Sequence, residues 1–160
     1  MTLRPMQPGD ETAVSALLTT AFDGPLEAQL VSRLRADGDM ALELLAEEDG
    51  RIFGYVAFVR LQEPEGWLSL SPVAVAPSRQ RRGIGSDLIR MGLDQARQAG
   101  ARAITVLGDP DYYTRFGFTL KAAEHLQSPF AGPHFMLYPI AAKTAGRSDR
   151  VVYPPAFSEF

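Results

Sequence analysis

The sequence predicts an α+β domain of three layers, in which a mixed, mostly antiparallel sheet with one central parallel pair is flanked by helices. Three observations carry this expectation. Residues 40–47, 52–61 and 67–75 are strand-like runs joined by short polar turns, the pattern of an antiparallel meander. The third run passes Pro77 and a basic stretch into a helical pattern at Gly83–Ala99, after which Ala103–Leu107 reads as a buried strand, so a β-α-β unit supplies the parallel pair. Helical spacing of apolar residues at 10–22 and 25–37 provides further cover for the sheet.

Each element has a local reason. Residues 2–6 form a short first strand that stops at Pro8-Gly9. Asp10 is the expected N-cap of the first helix, Glu11 complements its dipole, and Val14, Leu17, Leu18, Ala21 and Phe22 make its apolar face. Asp23-Gly24-Pro25 ends that helix and starts the next, with Pro25 at its first position, Leu26, Leu30 and Leu34 as its stripe, and Asp37-Gly38 as its end. Glu48-Asp49-Gly50 is a hairpin signal. Pro72 falls inside the third run of the meander. It has no N–H to give, so it implies a bulge or a lapse in pairing, which leaves backbone groups of Val73 and Val75 for a ligand.

In the Gly83–Ala99 helix, Ile84, Leu88, Ile89, Gly92, Ala96 and Ala99 share one side, and Gly92 implies close approach to the sheet. Gly100 is the expected C′ residue. Gly108-Asp109-Pro110 breaks the following strand, residues 111–115 make a helical turn, Gly117–Leu120 begins another strand, and His134–Ile140 is the last. The domain is expected to span residues 1–140. The remainder, 141–160, ends in an apolar, proline-rich segment, Val151–Phe157, expected to pack on the domain or on a second subunit.

Composition bounds the chemistry. At 160 residues, 46% hydrophobic and 22% charged, the chain suits one soluble globular domain. A formal charge of −3 gives no global basic field for nucleic acid, so the arginines at 79, 81 and 82 form a local patch suited to a small anion. The absence of cysteine excludes disulfides, thiolate metal sites and a thioester on the enzyme. His125 and His134, the 2 histidines, lack carboxylates at ligand spacing, so no metal is expected. Neither an apolar leader nor a run of the ~20 apolar residues that span a bilayer is present, and the expected location is the cytoplasm.

The most informative stretch is Gln80-Arg81-Arg82-Gly83-Ile84-Gly85-Ser86. Glycines lacking Cβ let an anion approach the backbone amides at a helix N-terminus, where the helix dipole and nearby arginines add positive charge. Further on stands Tyr112-Tyr113-Thr114-Arg115-Phe116-Gly117-Phe118. The first stretch resembles motif A of the GNAT acyltransferases, and the second resembles that family's Tyr-x-x-x-Gly-Phe signature. The likeness extends over residues 2–140. The paired tyrosines, Gly108-Asp109-Pro110 and the Tyr153-Pro154-Pro155-Ala156-Phe157 tail look like the YhbS-type branch of predicted N-acetyltransferases.

The resemblance implies a GNAT-like acyl-CoA N-acyltransferase fold whose central parallel pair splays to admit the pantetheine arm. It further implies transfer of an acetyl group from acetyl-CoA to a primary amine by direct attack in a ternary complex. Val73, Val75, Gln80, Arg81, Arg82, Gly83, Ile84, Gly85 and Ser86 are then the coenzyme contacts, with the amide of Val73 or of a neighbour facing the thioester oxygen. By register Tyr113 is the general acid, and Tyr112 takes an aromatic packing position. Asp109 is the nearest candidate base, against its reading as a turn or helix cap; ordered water held by Ser69 or Ser71 is the alternative. Glu27 and Gln29 border the acceptor side of the fold, against the alternative that they face water, and Ser71 joins Glu27 as a candidate substrate contact. The partner is a small-molecule or peptide amine, with no nucleic acid and no membrane, and the protein is a monomer or homodimer. A non-catalytic acyl-CoA-binding regulator of the same fold is the competing reading; retention of Tyr113 argues against it. A dinucleotide-binding enzyme lacks support because the third glycine of that fingerprint is missing.

Overall fold

A computed structural model describes residues 1–160. Six strands form one sheet in the order β1-β2-β3-β4-β5-β6, with β1 at Thr2–Pro5, β2 at Met40–Glu48, β3 at Arg51–Arg60, β4 at Trp67–Val75, β5 at Ala103–Leu107 and β6 at Phe135–Pro139. Every pairing is antiparallel except β4 with β5, the pair joined by the crossover helix α3 (Ile84–Gln98). Asp49 and Gly50 both take positive φ between the paired Glu48 and Arg51, the geometry of a tight hairpin between β2 and β3.

Alternation along the strands divides the side chains between two faces. Leu44, Val56, Phe58, Leu68, Leu70, Ile104 and Val106 meet Ile84, Leu88, Ile89 and Leu93 of α3. On the opposite face Leu45, Tyr55, Ala57 and Ala74 pack against Val14, Leu17 and Leu18 of α1 (Glu11–Ala21) and Ala28 and Val31 of α2 (Leu26–Ala36). The expected helix faces are rotated in detail. Phe22 and Leu26 are exposed, and α2 buries Ala28, Val31 and Leu34, because side chains spaced by four drift about 40° per step around a helix. Ala99, at the end of α3, is exposed as well.

Asp10 stands before α1 as expected, yet its carboxylate does not cap the helix; it accepts from the Gln7 N–H and from Arg4 of β1. A second polar tie crosses the layers. Fully buried Tyr55 donates to Glu43, 2.6 Å away, and Glu43 also pairs with Arg35 of α2. Burial in this position, followed by the Glu43 charge, pushes the Tyr55 hydroxyl pKa far up, so it remains a neutral donor.

The segment after Gly117 differs from the expected strand. Thr119 makes a single antiparallel bridge to Leu137, exchanging both hydrogen bonds, and its Oγ1 then accepts from Ala122 N–H as the cap of α5 (Leu120–Ala123). A threonine followed by Leu-Lys-Ala-Ala favours a helical turn, and that local preference stops the strand at one residue. Residues 141–160 lie over the domain. Val151 is buried among Leu61, Trp67 and Leu126, and Ala156 is buried between Leu34 of α2 and Val59 of β3.

Close contact between α3 and the sheet depends on Gly92: a Cβ there would run into the ring of fully buried Phe58. Gly92→Val is expected to destabilise the protein by about 2 kcal/mol through overpacking. The thermal midpoint should fall by roughly 4–8 °C; an unchanged midpoint would contradict this packing.

Candidate active site

The site begins where two strands part. The parallel ladder between β4 and β5 has three rungs, Trp67–Ala103, Leu68–Ile104 and Ser69–Thr105, and then ends. Just beyond, Ser71 and Pro72 together stand opposite the single residue Ala57 of β3, a bulge that turns β4 away from β5. Pairing with β3 resumes at Val73–Val56 and continues to Val75–Gly54. The Ala76 N–H donates to Phe53, so ladder alternation turns Ala74 toward β3, and Val73 and Val75 toward the edge that β5 has left. The Val75 carbonyl on that edge accepts from Gln80 Nε2 at 3.1 Å. Ser71 lies half-buried at the bulge.

At the open end of this fork the chain enters α3. Arg81 has φ 65° and Gly83 φ 84°, so the backbone turns sharply twice before the helix. The first intrahelical bond runs from Asp87 N–H to the Gly83 carbonyl, leaving the N–H groups of Ile84, Gly85 and Ser86 outside the helical ladder. These residues line a cavity of about 410 Å³ together with Val75, Arg79, Gln80, Arg81, Gly83, Tyr112 and Arg115. Gly85 keeps its wall open, since a Cβ there would lie 3.3 Å from the Tyr112 hydroxyl. Arg82 is exposed and does not line the cavity, and Val73 lies deeper along the fork.

Arg79 is a correction to the expected cluster of charges. Its guanidinium pairs with Glu48 at the end of β2 and lies over the Phe53 ring, so much of its charge is spent within the protein. Arg81 and Arg115 are the remaining cations of the lining.

The two adjacent tyrosines point differently. Asp109 accepts from Asp111 N–H at 3.0 Å and caps α4 (Pro110–Tyr113), which fixes the phase of this short helix. Tyr113 is buried, its ring against Gly108 at the end of β5 and edge-on to Phe118. Burial, and then the neighbouring Tyr112, push its pKa up to about 12, so it holds its proton at neutral pH. The Tyr112 hydroxyl reaches Ser86 Oγ at 3.3 Å, making this tyrosine a wall of the cavity, which the packing role assigned to it from sequence did not include. The register of the Tyr-x-x-x-Gly-Phe signature separates the two tyrosines by expected role, and the cap at Asp109 sets the directions in which they point.

The remaining candidates lie apart from this cavity. Glu27 occupies the first turn of α2, half-buried and next to Ala28, which packs in the cluster that contains Ala74 of β4. Asp109 is exposed. No group of three or more His, Cys, Asp or Glu residues is arranged to hold a metal ion, and no helix is long and apolar enough to cross a membrane.

The chain is similar to known proteins in sequence and in fold. The model of the Acetyltransferase (GNAT) family matches residues 12–118. The chain is 36% identical over 167 residues to the uncharacterized N-acetyltransferase YhbS of Escherichia coli K12, covering 100% of each. The crystal structure of Escherichia coli YhbS in complex with CoA superposes with a TM-score of 0.91 at 34% identity, covering 99% of this chain and 92% of that one. A GNAT family acetyltransferase from Brucella melitensis in complex with acetyl-CoA gives 0.84 at 35% identity, covering 98% and 97%. With the forked parallel pair and the glycine-entered helix beside it, these likenesses establish that the chain belongs to the GNAT family of acetyltransferases.

Proposed function

We propose that the protein transfers an acetyl group from acetyl-CoA to a primary amine by direct attack within a ternary complex. The observation that carries this reading is the end of the β4–β5 ladder at Ser69–Thr105, with the amide-lined cavity at the mouth of the resulting fork. The pyrophosphate sits against the N–H groups of Ile84, Gly85 and Ser86, where the dipole of α3 and Arg81 favour negative charge. Gln80, Arg82 and Gly83 shape the approach. The pantetheine arm lies in the fork along Val73 and Val75. That two similar proteins are known in complex with CoA and acetyl-CoA supports the choice of coenzyme.

The chemistry follows from the groups at the fork. The amine nitrogen attacks the thioester carbon, and charge grows on the carbonyl oxygen, to which the Val73 N–H donates. The C–S bond then breaks, and Tyr113 passes its proton to the leaving thiolate before recovering one from solvent. The raised pKa keeps Tyr113 protonated at neutral pH; because the departing thiol is the stronger acid, the transfer is completed by the replacement proton that the tyrosine takes from solvent. The attacking amine sheds its proton through ordered water near Ser71, with the exposed Asp109 carboxylate as its destination; one Asp109 oxygen remains committed to the α4 cap. Glu27 borders the acceptor's approach.

Two measurements test these assignments. Tyr113→Phe should lower kcat by about 10²-fold, while calorimetry finds the dissociation constant of acetyl-CoA within about twofold of the wild type. Because the Tyr113 pKa is pushed up to about 12, activity lost through deprotonation of this acid should appear only well above pH 10; wild-type turnover in the variant would remove Tyr113 from the mechanism. For the cradle, Arg81→Ala should weaken acetyl-CoA binding by roughly tenfold. Arg79→Ala should weaken it less, because Glu48 and Phe53 already hold that side chain. The reverse order would move the phosphate site.

A further inference from the structure

The tail brings a tyrosine to the vertex of the fork. Tyr153 Oη lies 3.4 Å from Oγ1 of Thr105, and the hydroxyls of Ser69 and Ser128 lie beside it. Ser69 and Thr105 form the last rung before β4 and β5 separate. Both point to the sheet face opposite α3, because their neighbours Leu68, Ile104 and Val106 face that helix. Burial raises the Tyr153 pKa, which keeps a neutral hydroxyl at this point.

The ring of Tyr153 stands between two others, edge-on to Phe130 at 4.9 Å and tilted against Phe157 at 5.1 Å. All three line an open cavity of about 680 Å³ between the 127–130 loop and the tail. This volume falls in the range of sites for small organic molecules, roughly 300–1,000 Å³. Arg150 lies on its rim, but its guanidinium is 3.0 Å from Glu63, so the pair offers little net charge to a ligand. The cavity therefore favours a flat, apolar body over a polycation.

Direct transfer also sets a condition on direction. A coenzyme entering beside α3 and α4 leaves the opposite sheet face for the nucleophile, and Tyr153, a lining residue of the aromatic cavity, meets Thr105 of the last rung from that face. Resting on the acetyl-transfer reading above, we propose that this cavity receives the acceptor, that the acceptor is a primary amine on an aromatic or flat apolar body, and that the Tyr153 oxygen accepts from the amine N–H to aim its lone pair at the thioester. Phe130 and Phe157 hold the body. Tyr153 is thus an acceptor-binding residue supplied by the tail.

The test uses the full chain, acetyl-CoA, and two probe amines, 2-phenylethylamine and spermidine. Thiol release reports turnover, calorimetry reports acetyl-CoA binding, and circular dichroism checks each variant's fold. The expected result is kcat/KM for 2-phenylethylamine at least about tenfold above that for spermidine. Tyr153→Phe should lower the former about tenfold while leaving acetyl-CoA affinity unchanged, since only one hydroxyl is lost. Phe157→Leu should raise KM for 2-phenylethylamine with less effect on kcat, a split that general loosening of the fold would not give. Preference for spermidine, no turnover of 2-phenylethylamine by protein that binds acetyl-CoA, or unaltered kcat/KM in Tyr153→Phe overturns this inference alone. Failure to bind acetyl-CoA overturns it together with the acetyl-transfer reading.

Discussion

The constraint on which the site depends is the short parallel ladder between β4 and β5. Two strands that stay paired leave no backbone for a ligand, and two that never pair have no fixed separation. Here three rungs anchor the strands, and a bulge at Ser71-Pro72 swings β4 away immediately afterwards. Proline cannot donate to a ladder, so the sequence places the loss of pairing at this point. β3 continues to hold the far half of β4 through Ala74 and the N–H of Ala76, which makes the open edge rigid. A rigid edge with unspent amides is a preorganised binding surface, whose ordering has been met by folding.

The cradle next to it concentrates positive charge within a protein of formal charge −3. Local arrangement matters more than the total. Backbone N–H groups at the start of α3 add partial positive charge there, and their dipoles are fixed by the helix. Of the arginines, Arg79 is committed to Glu48 and Phe53 and braces the turn, whereas Arg81 and Arg115 line the cavity. One cluster of like residues in sequence thus divides into a structural member and potential ligand contacts.

The opposite face is assembled from distant pieces. Tail residues 151–157 span from the β3–β4 loop, where Val152 bridges Glu63, across to α2, where Ala156 meets Leu34. The tail therefore ties the wall formed by α2 to the strand pair below. The Arg35–Glu43–Tyr55 group fastens α2 to the sheet a second time. Because a half-buried carboxylate is costly without partners, this group tolerates few other positions for the helix. Both ties act at a distance from the cradle, yet both fix the sheet face opposite α3.

Much of this was legible in the sequence because it is encoded locally. The meander, the hairpin at Asp49-Gly50, the crossover helix with its close-packed Gly92, the lapse at Pro72 and the glycine-entered helix all follow from period, turn chemistry and missing atoms. The membership of the GNAT family was legible for the same reason, since its motifs are short and contiguous. Tertiary structure alone decided that Arg79 turns to Glu48, that Tyr112 lines the cradle, that Thr119 forms one bridge and caps α5, and that Tyr153 reaches Thr105. Local sequence sets backbone conformation and which side of an element is apolar. The partner of a polar side chain depends on which distant segment folding brings within reach, and one residue's rotation of a short helix is enough to exchange one partner for another.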